Sequence, residues 1–179
     1  MRFKALAVEG AFLIEADPQI DERGHFVRLF DAEAFADRGL CTTWAQEATS
    51  FNRERGILRG FHYQAPPFEE VKVIRCTQGA IFDVILDLRL QSPTFRHWAS
   101  VELRGNRFDS LYVPAGCAHG YQVMEDGSEV NYLISSAYHS DLQRGIRWDD
   151  PQLAVPWPVA SPRLSERDRT FPFLRELVP

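Results

Sequence analysis

Apolar and polar residues alternate in short runs along most of the chain, and each run is bounded by glycine, proline, aspartate or asparagine. Alternation of this kind predicts β-strands that bury one face. Residues 3–15 give one or two short strands, and a turn at 21–24 leads into a strand at 25–30. Further strands are predicted at 43–50, 57–64, 70–77, 80–88, 97–103, 109–113, 119–124 and 129–138. This spacing is typical of an all-β sandwich or barrel.

Helical signals are few. Residues 31–36 are predicted to form a helix. Asp31 can cap its start, and Gly39 ends it. Ser165 can cap a second short helical turn, with Asp168 at the capping-box position. The segment from residue 145 onward is rich in proline and tryptophan, and we expect it to pack irregularly over the barrel. Since no repeat or linker interrupts the pattern, residues 1–179 are expected to form one domain.

Composition narrows the functional classes. The net charge is -5 and there is no long basic run, which argues against sequence-independent binding of nucleic acid. A local arginine cluster could still bind an anionic small molecule. The three cysteines are widely spaced, so neither a disulfide framework nor a zinc site is indicated. The start lacks a signal-peptide core and no apolar run reaches membrane-spanning length, so we expect a cytoplasmic protein without a membrane partner.

The first candidate for chemistry is His62, which shares a predicted strand with Arg59 and Gly60. Strict alternation would separate Arg59 from His62, so we expect Gly60 to supply the backbone freedom that lets both side chains reach one pocket. A lone histidine there is a buried core residue, a metal ligand or a catalytic base, and the first of these is the most common. Lys72 is the second candidate. Counting by twos places it on the face of Ile74 and Cys76, where a lysine would be poorly solvated, unless the register differs and it lies outside.

A third candidate is His119 in the segment from Pro114 to Gly120. This P-x-G-x-x-H pattern resembles the second conserved motif of the cupin superfamily, whose fold is a double-stranded β-helix jelly roll. The earlier segment offers His62 without a second histidine, so a divalent metal would lack protein ligands and a metal site is disfavoured. Tyr132 and Tyr138 are predicted to lie on one face of a strand, where core packing is the simpler explanation.

Taken together, the ordered blocks resemble the dTDP-4-dehydrorhamnose 3,5-epimerase family of cupin-fold nucleotide-sugar epimerases. The blocks cover residues 21–26, 56–64, 72–75, 79–84, 87–89, 92–94, 114–120, 148–151 and 164–168. The resemblance implies an all-β cupin jelly roll with N-terminal strands and a few short helices. It further implies a homodimer with exchanged N-terminal strands that works without a metal or an organic cofactor.

Carried over by position, the resemblance also implies a role for each matching residue. His62 is the general base and Asp168 its partner, Lys72 stabilises the enolate oxygen, and Tyr132 donates a proton from the opposite face. The implied substrate-binding residues are Arg23 and Arg59 at the diphosphate, His119 and Tyr138 near the sugar, and Gln46 and Phe26 toward the nucleoside. The expected activity is epimerisation of a nucleoside-diphosphate 4-keto-6-deoxy sugar, with dTDP as the expected nucleotide, at C3 and C5 in deoxysugar biosynthesis.

The chain departs from the usual family pattern at Arg28, where glutamate is common, and at Ala48, where asparagine is common. Both positions lie toward the nucleotide, so the base and the sugar stay open. Four alternatives also remain open: epimerisation at C3 alone, a 3,4-ketoisomerase, a non-catalytic sugar-binding cupin and, least favoured for lack of ligands, a metal-dependent oxygenase. The set formed by His62, Asp168 and Lys72 favours an epimerase over the ketoisomerase and the non-catalytic cupin, but it does not distinguish epimerisation at C3 and C5 from epimerisation at C3 alone.

Overall fold

The computed structural model describes residues 1–177 and is built mainly from antiparallel strands. The strands are β1 (Arg2–Ala5), β2 (Phe12–Glu15), β3 (Gln19–Asp21), β4 (Gly24–Phe26), β5 (Gln46–Asn52), β6 (Leu58–Gln64), β7 (Lys72–Gln78), β8 (Ala80–Asp87), β9 (Trp98–Arg104), β10 (Ser110–Val113), β11 (Cys117–Val123), β12 (Ser128–Ile134) and β13 (Gln143–Gly145). The helices are α1 (Ala32–Ala36), α2 (Glu166–Arg169) and α3 (Leu174–Leu177), with a 3₁₀ turn at Ser140–Leu142.

Two sheets face each other. The larger has six strands in the order β1-β2-β10-β7-β12-β5, and the smaller has five in the order β13-β6-β11-β8-β9. β3 and β4 form a separate two-stranded hairpin. Most neighbouring strands in each sheet are not consecutive in sequence, because the chain passes repeatedly from one sheet to the other. The prediction of an all-β sandwich or barrel is confirmed.

The core lies between the sheets because each strand sends alternate apolar residues inward. Ile74 and Cys76 of β7 belong to this layer, together with Ile81 and Ile85 of β8. The outer face of the smaller sheet is covered by the C-terminal segment, whose Leu153 and Leu174 pack against it. The outer face of the larger sheet is partly covered by α1 through Phe35. The expectation that the tail packs over the barrel is therefore confirmed.

Both predicted helix caps form. The Asp31 side chain accepts hydrogen bonds from the amides of Glu33 and Ala34. Ser165 accepts one from the amide of Asp168, which fixes the start of α2. These caps satisfy amides that a short helix leaves unpaired.

Some element predictions are wrong. Residues 27–30 are not a strand, because the ladder of the hairpin has only the pairs from Gln19↔Phe26 to Asp21↔Gly24. The strand predicted for 129–138 ends at Ile134, so Tyr138 lies beyond it and does not share a strand face with Tyr132. β13 and α3 were not predicted, since each is only a few residues long.

Candidate active site

A cavity of about 290 Å³ opens between the two sheets at one end of the sandwich. The smaller sheet contributes His62 from β6 and His119 from β11. The larger sheet contributes Lys72 from β7 and Tyr132 from β12. The walls also include Gln46, Arg59 and Tyr138. A base, a cation and a phenol thus face one space from opposite sheets.

His62 is paired with a buried carboxylate. Its Nε2 lies 2.8 Å from Oδ1 of Asp168, which is only 4% exposed. The other oxygen of Asp168 accepts a hydrogen bond of 3.3 Å from the amide of Gly60. Burial raises the pKa of Asp168, but the hydrogen bonds from His62 and Gly60 outweigh it and the net pKa is lowered. Asp168 is therefore a carboxylate near neutral pH, and it can orient the imidazole and stabilise its protonated form.

Gly60 explains how Arg59 and His62 reach the same cavity. On a regular strand, residues three apart point to opposite faces. Here the register between β6 and β11 shifts, because His62 pairs with His119 while Arg59 pairs with Tyr121. Gly60 has a φ of 127°, and a Cβ there would lie 2.4 Å from the Cα of Gly120. The prediction that Gly60 supplies the backbone freedom at this point is confirmed, and the irregularity is a β-bulge.

Lys72 lies inside, on the side of Ile74 and Cys76, as the alternation predicted. It is 8% exposed, and its Nζ lies 2.6 Å from Oε1 of Glu70, which is also 8% exposed. Ammonium and carboxylate therefore share the wall of the cavity.

Tyr132 lies on β12, the strand next to β7 in the larger sheet, where its backbone pairs with Ile74. Burial is the main cause that raises the pKa of Tyr132 well above the usual tyrosine value, and the neighbouring Tyr121 adds to it. The hydroxyl thus keeps its proton near neutral pH and can donate it. Its ring meets the His119 ring edge-on at a centroid distance of 6.4 Å.

His119 has its own carboxylate partner. Its Nε2 is hydrogen-bonded to Oδ1 of Asp83, and Asp83 is fully buried on β8. Within residues 1–177, no group was found to hydrogen-bond the second oxygen of Asp83. This pairing fixes the orientation of the His119 ring at the cavity wall.

Arg59 is held by a polar network behind the cavity. Its Nε donates a hydrogen bond of 2.9 Å to the side-chain oxygen of Asn52, and Asn52 in turn contacts the hydroxyl of Tyr121. On the other side of Arg59 and His62 lies a second cavity, of about 480 Å³, that also includes Arg163 and Arg167. Arg163 is paired with Glu54 at 2.6 Å, whereas Arg59 and Arg167 give the space beside His62 a positive character suited to a diphosphate.

Two predicted binding residues lie away from this cavity within one chain. Arg23 sits at the tip of the β3–β4 hairpin and is paired with Asp21 at 2.6 Å. Phe26 lines a separate cavity of about 450 Å³ beside α1, together with Arg28 and Asp31. Tyr138 does line the main cavity, although from the loop after β12.

The sequence interpretation missed several residues of the site, among them Glu70, Asp83 and Arg167. Asp83 carried a signal, because it is a charged residue within the apolar run of β8. Glu70 carried a weaker one, since it begins the strand predicted at 70–77 and counting by twos places it on the face of Lys72. Its burial becomes visible only from the folded chain.

Two further findings describe the chain. Within the described residues, no group of three or more His, Cys, Asp or Glu side chains is arranged to hold a metal ion. Over the same range, no helix is both long and apolar enough to cross a membrane.

Comparison with known proteins gives matches over nearly the whole chain. Residues 5–176 match the sequence profile of a family described as dTDP-4-dehydrorhamnose 3,5-epimerase. A protein of that name from Sinorhizobium fredii is 37% identical over 182 residues, which cover 99% of this chain and 91% of the relative. A Streptomyces niveus protein named dTDP-4-dehydrorhamnose 3-epimerase is 34% identical over 177 residues, covering 98% of this chain and 85% of the relative.

Solved structures agree with the sequence matches. The dTDP-4-dehydrorhamnose 3,5-epimerase of Bacillus anthracis, solved with TDP and PPi bound, superposes with a TM-score of 0.90 at 37% identity, covering 95% of this chain and 100% of that one. A 3,5-epimerase of Legionella pneumophila in complex with dTDP-4-keto-L-rhamnose gives a TM-score of 0.91 at 32% identity, covering 99% of this chain and 97% of that one. The cupin jelly roll expected from the sequence is thereby confirmed.

Proposed function

The chain belongs to the dTDP-4-dehydrorhamnose 3,5-epimerase family, and we propose that it epimerises a dTDP-linked 4-keto-6-deoxy sugar at C3 and C5. It is an isomerase by family. The single observation that carries the mechanism is the 2.8 Å contact between His62 and Asp168 at a cavity that Lys72 and Tyr132 share. Residues 1–179 would act as one cupin domain in deoxysugar biosynthesis.

The reaction begins with proton removal from carbon. The C–H bonds at C3 and C5 are acidic because the neighbouring C4 carbonyl can take the electron pair as an enolate. His62 accepts the proton, and Asp168 stabilises the imidazolium that forms. Two observations support this assignment: His62 is paired with a buried carboxylate, and it faces a cavity, which a histidine that only filled the core would not need to do.

The enolate and the new C–H bond require two further groups. Lys72 would donate to the C4 oxygen as negative charge develops there, a contribution of about 3–4 kcal/mol by analogy with one oxyanion-hole donor. Inversion requires a proton from the face opposite His62, and Tyr132 would supply it. The raised pKa of Tyr132 supports this role, because the phenol stays protonated until it is used. At each carbon His62 removes one proton and Tyr132 delivers one; His62 then releases its proton to solvent and Tyr132 takes one up from solvent before the next inversion.

Substrate binding would use the positive groups around His62. Arg59 is fixed by Asn52 and would bind the diphosphate in bidentate fashion. Arg167 faces the second cavity beside Arg59 and suits the same anion. His119 and Tyr138 would lie along the sugar, and Gln46 toward the nucleoside. Neither a metal nor an organic cofactor is assigned a step.

We propose a homodimer in which the β3–β4 hairpin crosses to the partner. The hairpin exposes Ile20 and Phe26, which are 78% and 68% accessible, and an isolated two-stranded hairpin is marginally stable. β5, an edge strand of the large sheet, lies beside the cavity and can receive a further strand. Exchange would carry Arg23 and Phe26 to the nucleotide end of the partner's site.

The test is proton exchange in deuterated water. Incubation with dTDP-4-keto-6-deoxyglucose, followed by NMR, should show loss of the proton signals at both C3 and C5. Loss at C3 alone would support a 3-epimerase instead, the activity named for the relative from Streptomyces niveus. Binding without exchange would contradict a catalytic role on this substrate, and a shifted carbonyl would indicate a ketoisomerase.

A further inference from the structure

We propose that Glu70 is a positioning residue of this active site, which holds the ammonium of Lys72 in its charged form and directs it toward the sugar. The inference rests on the proposed function, because Lys72 is the cation assigned there to the enolate oxygen. It adds a residue that neither the sequence pattern nor the family resemblance singled out.

The pair formed by Glu70 and Lys72 is held in a fixed position in the cavity wall. Glu70 Oε1 and Lys72 Nζ are 2.6 Å apart, and side-chain exposure is 8% for Glu70 and 10% for Lys72. The two residues are separated by Val71, whose amide donates to the Ser135 hydroxyl at 2.9 Å and whose carbonyl accepts from the Ser135 amide at 3.0 Å. Backbone bonds to the end of β12 therefore fix both side chains on the cavity side.

The charges around Lys72 indicate why a carboxylate is placed beside it. Among the described residues that line this cavity, Glu70 is the one with a carboxylate. The other titratable groups facing the space are Arg59, His62, His119, Tyr121, Tyr132 and Tyr138, while Asp83 and Asp168 lie behind the two histidines. Burial disfavours an ammonium, and Arg59 adds a like charge, whereas a carboxylate in contact favours it.

Hydrogen-bond capacity points the same way. An ammonium has three donors and no acceptor, so one bond to Glu70 leaves donors for the developing oxyanion. A lysine tied at one side of the cavity also loses less rotamer freedom when the substrate binds, because its long side chain is already ordered. Glu70 thus acts through Lys72 and need not touch the substrate.

The chain makes this directly measurable because Lys4 and Lys72 are its only lysines. In protein labelled at the lysine ε-positions, a Lys4→Arg background leaves one side-chain ammonium signal to follow by NMR as pH rises. With Glu70→Gln, the Lys72 signal should lose its proton at a lower pH than in the parent. Glu15→Gln, at the surface pair with Lys4, is the matched control and should leave the Lys72 signal unchanged.

Kinetics supply the second readout. Glu70→Gln should lower kcat by up to about 10²-fold, the cost of a misplaced catalytic group, with little change in KM. Glu70→Ala should cost at least as much in the parent but nothing further in a Lys72→Ala background, since its effect passes through Lys72. The double variant also removes both charges of the buried pair, which avoids an unpaired ion in the cavity.

The two proposals fail in different ways. An unchanged Lys72 titration in folded Glu70→Gln protein, or an equal loss of kcat on adding Glu70→Ala to Lys72→Ala, would overturn the role of Glu70. A wild-type protein that catalyses no exchange would overturn the proposed function. The lysine titration does not depend on turnover, so it decides the coupling of Glu70 to Lys72 by itself.

Discussion

His62 depends on a partner that lies 106 positions further along the chain, and their ring nitrogen and carboxylate oxygen are 2.8 Å apart. α2 brings Asp168 there, and the Ser165 cap fixes the first turn of that helix. A carboxylate partner does not by itself mark a base, because His119 has one too; His62 differs in keeping 34% of its side chain exposed, against 6% for His119. At the scale of single residues, the chemistry therefore follows from what each side chain is paired with: His62 with Asp168, His119 with Asp83, Lys72 with Glu70.

The lowered pKa of Asp168 predicts a pH-dependent contribution to stability. Because the folded pKa lies below the unfolded value of about 3.9, the contribution is fully present above that value and is lost as pH falls through the folded pKa. We expect the difference in free energy of unfolding between wild type and Asp168→Asn to be largest near neutral pH and to shrink below about pH 4. Urea titrations across this range measure it, and a difference independent of pH would contradict the assignment.

At the scale of elements, the bulge in β6 places two functional side chains on one face. Alternation predicted the strand and Gly60 predicted an irregularity, so this part could be derived from the sequence. Three other features could not be derived from the sequence: that residues 27–30 are not a strand, that β13 exists, and that β12 ends at Ile134. Those boundaries are set by which backbone groups find a partner across the fold, and a three-residue strand such as β13 gives too short a pattern to recognise.

Gly60→Ala tests the bulge. The new Cβ would lie 2.4 Å from the Cα of Gly120 and 2.9 Å from the His119 carbonyl oxygen, at a φ of 127°. We expect a loss of about 2 kcal/mol or more in unfolding free energy, together with loss of activity, because the backbone of His119 must move. Gly39→Ala is the control: it has a positive φ but no neighbouring atom within 4 Å, so it should cost less. Equal costs would argue against the close approach.

At the scale of the whole molecule, the site lies where the open ends of the two sheets face each other, and one chain supplies only part of the predicted set. His62, Lys72 and Tyr132 meet at the cavity, whereas Arg23 and Phe26 remain on the hairpin. The sequence could identify all five only through the family resemblance. No local pattern specifies which subunit a residue serves, because that depends on how two chains associate.

Mixed dimers test the proposed exchange of hairpins. Arg23→Ala and His62→Ala homodimers should each be strongly impaired. In a heterodimer of the two variants, one site receives the intact Arg23 of the His62→Ala chain and keeps an intact His62, so activity should return. If Arg23 served its own subunit, both sites would stay defective and mixing would restore nothing. The heterodimer is obtained by co-expression and separation with two affinity tags, and its activity is then measured. As the control, Leu90→Ala replaces Arg23→Ala, because Leu90 is exposed and lies away from the cavity.

The central claim is that His62 removes the proton from carbon, and deuterium exchange in His62→Ala tests it most directly. Wild type should exchange the C3 and C5 protons of dTDP-4-keto-6-deoxyglucose in deuterated water. His62→Ala should slow both exchanges by about 10²- to 10⁴-fold, the usual contribution of a general base. Binding of dTDP should stay close to wild type, because Arg59 and its Asn52 contact are unchanged. Exchange at the wild-type rate in folded, nucleotide-binding His62→Ala would contradict the account.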